Sequence, residues 1–239
     1  MNYSYLTIFL IVVVALFQAC TSDDKIPDSI SVEHTDDYQQ YYYGSDSIFP
    51  YALVFQDSAY PIDERFVRYI QVDKNDTNKL IIERYNASLR IYEGVTLDIG
   101  NNLEILDHMM VDAQGIKRTS GFKSTTFFPL KKDEQIIFKT DFPSHLDSIV
   151  MIYEARKHID EVALEKEING KYHSVIKVRD SIFVSMVNAY TGEGSTQSGI
   201  VDSYYAKGVG LVQWGDHEGS INYLWTKTLT GDLWEKLNE

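Results

Sequence analysis

The 239-residue chain has a single cysteine, Cys20, and only five prolines. With no second thiol there is no intrachain disulfide, so the folded part must be held by its own core. Phosphate-cradling glycine patterns are missing: neither Gly-x-Gly-x-x-Gly nor Gly-Lys-Ser/Thr occurs. The Gly-x-Ser-x-Gly elbow of serine hydrolases is missing too. The six histidines (His34, His108, His145, His158, His173, His217) never fall at His-Glu-x-x-His spacing, and no cysteine is available to help them hold zinc. No metal or cofactor is therefore expected. Basic residues are scarce, 22 against 35 acidic, for a net charge of −13. Such a balance repels phosphate backbones and anionic head groups, which disfavours nucleic-acid binding and docking on acidic lipid. Sugars, peptides, cations and other proteins stay open as partners.

No apolar run reaches the roughly 20 residues a membrane-spanning helix needs. The run that exists, Leu6 to Phe17, matches the hydrophobic core of a secretory signal peptide. It ends in Leu16-Phe17-Gln18-Ala19-Cys20, which resembles the lipobox of bacterial lipoproteins. The resemblance implies cleavage after Ala19, acylation (palmitate) of Cys20, and an outer-membrane anchor made of two or three acyl chains. Two chains suffice for stable anchoring where one does not. The acidic stretch Thr21-Ser22-Asp23-Asp24-Lys25 resembles a surface-export signal of Bacteroidota lipoproteins; a solvated linker is the other reading, and cell surface and periplasmic face stay open. The chain is thus read as signal peptide over 1–19, lipidated tether over 20–37, and a β-rich domain over 38–239. A division of that domain into two β subregions near 113–126 is the alternative.

Periodicity sets the class. Over 175–187, Ile176, Val178, Ile182, Val184 and Met186 share one parity, and Lys177, Arg179, Ser181 and Ser185 the other. Period two with a polar opposite face marks a half-buried strand. Asp180 interrupts the apolar face, so two strands meeting at Arg179-Asp180 are an alternative. Val209–Trp214 and Ser220–Thr228, around Gly215–Gly219, read as a hairpin. Phe66–Val72 and Leu80–Tyr85 read as another around Asp73–Asn78; a calcium loop is the lesser reading there, since Arg84 stands at the place of the bidentate glutamate. Ser88–Leu97, Leu103–Val111, Gln135–Lys139 and Ile149–Arg156 are further strands. Glu161–Ile168 fits helix or strand, and Asp232–Asn238 a short helix. Gly192–Gly199 reads as a flexible connection. The fold class is mainly β: an antiparallel sheet, half-barrel or barrel-like domain with few short helices.

Phe127-Phe128-Pro129-Leu130 with the strand after it, and Tyr204-Tyr205-Ala206-Lys207-Gly208-Val209-Gly210-Leu211-Val212, resemble motifs of uncharacterised Bacteroidota envelope lipoproteins. Some of those are similar to the half-barrel of lipoprotein carriers, which implies an apolar cavity under helices. The Gly208-Val209-Gly210 spacing by itself predicts a bulge, a sharp bend or a close backbone approach. Asp-Ser-aliphatic recurs at Asp28-Ser29-Ile30, Asp46-Ser47-Ile48, Asp57-Ser58-Ala59, Asp147-Ser148-Ile149 and Asp180-Ser181-Ile182. It resembles an O-glycosylation acceptor, with Ser29 on the tether the foremost site; a turn leading into a strand is the alternative.

The function these features support is a membrane-anchored, non-enzymatic binding or structural module with an envelope protein or glycan as partner. For a glycan, Tyr41, Tyr42, Tyr43, Tyr51 and Tyr60 are the candidate contact platform, strand packing being the alternative. A lipid or lipoprotein carrier is the second reading. A hydrolase working through two carboxylates in a cleft is the third.

Overall fold

The structure, a computed structural model, describes residues 38–44, 49–74, 77–112, 114–144, 146 and 148–237. Cys20, Ser29 and Asp46-Ser47 lie outside the described residues. After a 3-10 turn at Tyr38–Tyr41 come β1 (Tyr51–Asp57), β2 (Glu64–Lys74), β3 (Thr77–Tyr85), β4 (Ile91–Asp98) and β5 (Glu104–Val111). They are followed by β6 (Lys117–Thr119), β7 (Gly121–Phe122), β8 (Gln135–Pro143), β9 (Ile149–Ile168) and β10 (Lys171–Asn188). The chain ends with β11 (Gly194–Ala206), β12 (Gly210–Asp216), β13 (Asn222–Thr230) and a helix, α1 (Gly231–Leu237). The protein is mainly β.

All thirteen strands belong to one antiparallel sheet, in the order β6-β5-β4-β3-β2-β1-β13-β12-β11-β10-β9-β8-β7. The two ends of that order are neighbours in the chain, with only Ser120 between them. β6 pairs with β5 through Met109↔Thr119, and β7 pairs with β8 through Gly121↔Asp141. The segment 117–122 therefore crosses from one edge of the sheet to the other and curls it into a barrel. Closure deals with edges that would otherwise template foreign strands. Near the place where a division into two β subregions was the alternative, residues 117–122 form the seam joining the two edges of a single sheet.

The interior is filled by one face of each strand. From β1 come Tyr51, Leu53 and Phe55, from β2 Val67 and Tyr69, from β10 Ile176 and Val178. Alternate residues of β1, Ala52 and Val54, face the other way and are covered by Trp234 of α1 with Phe66 and Leu229. This explains why β1 is buried on both faces. It also places α1 against the outside of the wall, where it closes no cavity. By the usual scale for core aromatics, removing the Trp234 ring costs about 3–5 kcal/mol.

β10 is one continuous strand through Asp180, and Glu161–Ile168 belongs to β9. Its register against β9 slips between Val175 and Val178, and Ala163 has φ of 55°. The hairpin tip bends there, so that Leu164 and Ile168 pack on Val175, Ala206 and Val212. Ala206 and Val212 alternate with the inward-facing Tyr205 and Leu211, so this packing covers the outside of the barrel.

Candidate binding site at the barrel mouth

The tyrosine platform does not form. Tyr42 and Tyr51 are fully buried, Tyr42 stacked on Phe128 (centroids 4.1 Å apart) and Tyr51 on Tyr69 (4.8 Å). Tyr60 alone of the five is broadly exposed. Tyr51 has the inward parity of β1, and Tyr42, just after the 3-10 turn, packs into the same core. Phe127, Phe128, Ile136 and Phe138 of the Phe-Pro-Leu stretch are buried as well. The Gly208–Gly210 turn makes a close approach: a Cβ on Gly210 would stand 2.8 Å from Tyr69 Oη.

Inside the barrel lies a polar cluster. Arg84 Nη1 is 3.3 Å from Glu93 Oε2, and His108 Nε2 is 3.4 Å from Glu93 Oε1. Burial pushes the Glu93 carboxyl up, but Arg84 and then His108 outweigh it and hold it at about 2. His108 Nδ1 lies 2.6 Å from Ser120 Oγ, in the residue between β6 and β7. The three side chains form a row of hydroxyl, imidazole and carboxylate. Ser120 Oγ, however, donates to the carbonyl of His108 at 3.0 Å. Ser120 Oγ thus lies within hydrogen-bond reach of both His108 Nδ1 and the His108 carbonyl. Ser120 is buried, and its backbone N–H donates to the same carbonyl at 3.1 Å. This row pins the seam of the barrel.

A second interior pair joins β9 to β10: Lys157 Nζ is 3.9 Å from Asp180 Oδ2 and 3.8 Å from the Phe127 ring centroid. Burial raises the Asp180 carboxyl against the pull of Lys157, and burial lowers the Lys157 ammonium against the pull of Asp180. Glu93 and Asp180 are thus interior carboxylates shifted in opposite directions. Among the described residues only a small space adjoins Glu93. The space beside Arg84, Glu93 and Tyr205 measures about 10 Å³, room for one water. Among the described residues this interior space is too small for a hydrolase substrate or a carried lipid.

On the outer wall, Asp202 gathers Arg179 (2.8 Å), His217 (3.0 Å) and Lys177 (3.4 Å), while Asp160 reaches Lys177 (3.0 Å) and Arg179 (3.2 Å). Its burial would raise the Asp202 carboxyl, but hydrogen bonds from Arg179 and His217 hold it well below the usual carboxylate range. The network ties β10, β11 and the 217 turn together. Each charge is answered by another, as in a structural brace.

A roomy space with a mainly apolar lining is at the rim. It lies at the end where β8 leads into β9 and β10 into β11. Ile149 and Met151 of β9 and Met186 of β10 keep the inward parity there, Met186 lying opposite Met151. Met110 and Val111 of β5 and Phe142 of β8 complete the walls, with Leu146 above. They bound a space of about 750 Å³, within the range of small-ligand sites. Asp112, Ser144, Asn188, Glu193 and Ser195 supply a polar rim. Three of the chain's five methionines line it, and unbranched thioethers adapt to ligands of varied outline. No single stretch of sequence announces this pocket, because its lining comes from separate strands and turns. Among the described residues no group of three or more His, Cys, Asp or Glu side chains could hold a metal ion, and no helix is long and apolar enough to cross a membrane.

The class defined by fold and site is an antiparallel β-barrel with a packed interior and an apolar pocket at its mouth. No protein-family model and no curated protein matches the chain. Among solved structures it is similar to a "putative exported protein with YmcC-like fold" from Bacteroides fragilis, at 7% identity and a TM-score of 0.45, over 80% of this chain and 99% of that one. It is also similar to a "putative lipoprotein" from Parabacteroides distasonis, at 9% identity and a TM-score of 0.40, over 79% and 95%. Resemblance at this level lends the chain no role.

Proposed function

We propose that the protein is a non-enzymatic envelope module, held to the outer membrane by lipid on Cys20, that binds an apolar ligand of acyl-chain or single-ring size at the barrel mouth. The observation that carries the reading is the methionine-lined pocket of about 750 Å³. The packed interior favours binding over catalysis. The carrier reading moves with it, from a cavity under helices to the open rim. Ser29 on the tether is the proposed O-glycosylation site.

The test is titration with a fluorescent fatty acid, using a secreted Cys20→Ala form so that detergent does not compete. Saturable fluorescence enhancement is expected, and at least a tenfold weaker response in Met186→Glu. Met186 is already 45% exposed, so a carboxylate there leaves the fold intact. No saturable response in the parent chain, or an unchanged one in the variant, rejects the reading.

A further inference from the structure

The barrel wall has a step. β11 pairs with β10 along its whole length, from Gly194 opposite Val187 to Ala206 opposite Val175. Its other side pairs with β12 only from Val201 to Ala206. One more contact, His217 N–H to the Ile200 carbonyl at 3.0 Å, ends that ladder. Gly194 to Gly199 therefore form an edge with no strand beside it among the described residues, and all six are exposed.

Natural edges of this length are blunted by charge, proline or bulges. Gly194-Ser195-Thr196-Gln197-Ser198-Gly199 carries no charge and no proline, and its ladder to β10 runs without a register shift. In a chain of net charge −13, a neutral edge is where a second acidic copy meets least repulsion. Backbone parity sharpens this. The Ile200 carbonyl faces the β12 side, so Gly194, Thr196 and Ser198 also turn both their N–H and C=O outward. Antiparallel pairing matches outward residue to outward residue. A two-fold axis at Thr196 satisfies this with Thr196 opposite its own copy and Gly194 opposite Ser198 on either side. Each such pair exchanges two hydrogen bonds, and the small side chains of Gly194, Thr196 and Ser198 leave the approach unobstructed. The 216–219 turn, which closes one end of the lane, would then abut the 189–193 turn of the other copy.

We infer that the Gly194–Gly199 edge of β11 is a self-association site, at which two copies of the chain join their sheets antiparallel about Thr196.

The full-length chain is tested in the membranes of expressing cells. Thr196→Cys is oxidised and run on a non-reducing gel beside Thr228→Cys, an equally exposed position on β13. The expected result is at least tenfold more disulfide dimer for Thr196→Cys, with the two introduced thiols joined to each other by peptide mapping. Equal cross-linking at both positions, or none at 196, overturns the inference. Thr196→Pro provides a second measurement. It removes an outward N–H that β10 does not use, so the melting temperature should hold while sedimentation of the detergent-solubilised chain shifts from dimer to monomer. An oligomeric state unchanged by Thr196→Pro also overturns the inference.

Discussion

Arg84 Nη1 stands 3.3 Å from Glu93 Oε2 across neighbouring strands, with the Glu93 side chain largely enclosed. Breaking a buried pair by removing one partner strands the other charge, at a cost of about 3–5 kcal/mol. Glu93→Gln is expected to fall in that range by urea unfolding at neutral pH. The sign with pH follows from the depressed carboxyl. Its stabilisation is present above the ordinary value of 4.5 and is lost as pH falls through about 2. The gap between parent and variant should therefore close between pH 4.5 and 2. A gap that stays constant on acidification means that the carboxylate charge is not what stabilises.

Lys157 and Asp180 call for a double-mutant cycle. Asp180 Oδ1 has no hydrogen-bond partner in the structure, and Lys157 rests on the Phe127 ring. Lys157→Met alone leaves an unanswered interior carboxylate and is expected to cost about 3–5 kcal/mol. Adding Asp180→Leu should restore stability to within about 1 kcal/mol of the parent, since apolar replacement of a buried pair is often neutral. Additive losses in the double variant would show that the two residues act through separate contacts.

The strands legible in sequence are those whose two faces differ. Ile176, Val178, Ile182 and Val184 alternate with polar residues, and the segment is a strand, β10, with Ile176 and Val178 in the interior. Gly192–Gly199 carries no such signal and reads as a connection, yet Gly194 opens β11. Its strand state comes from pairing: a Cβ on Gly194 would lie 2.4 Å from the Met186 carbonyl, so β10 approaches too closely for any side chain there. Closure was equally out of reach. Nothing local tells that Ser120 will sit between the two edges of a sheet and bond to His108. The mouth pocket is hidden for the same reason, since Met110, Met151 and Met186 belong to three strands that only the register brings together.

The anchor is tested independently of the fold. Cys20→Ala is expected to abolish labelling by tritiated palmitate and to move the protein from the membrane pellet to the soluble fraction. Continued sedimentation with membranes would require another attachment. The intact mass of the native chain, compared with lipid plus polypeptide, reports on Ser29 in the same preparation; an excess that Ser29→Ala removes assigns the glycan.

Gly208 and Gly210 separate backbone strain from crowding. Both have positive φ, 70° and 100°. An alanine at either position suffers the left-handed penalty of about 1–2 kcal/mol. At 208 nothing lies within 4 Å of the new Cβ, whereas at 210 it meets Tyr69 Oη at 2.8 Å and Cζ at 2.9 Å. Tyr69 cannot easily yield. It stacks on Tyr51, and its hydroxyl accepts from Leu211 N–H at 3.1 Å. Gly210→Ala should therefore cost about 1–3 kcal/mol more than Gly208→Ala, the range for overpacking a filled core. Tyr69→Phe should cost about 1–3 kcal/mol by leaving the buried Leu211 N–H without its acceptor. Urea midpoints for the three variants decide the matter. Equal losses for the two alanines would mean that the turn tolerates displacement from the ring, and that the Tyr69 contact does not hold the β11–β12 connection against the core.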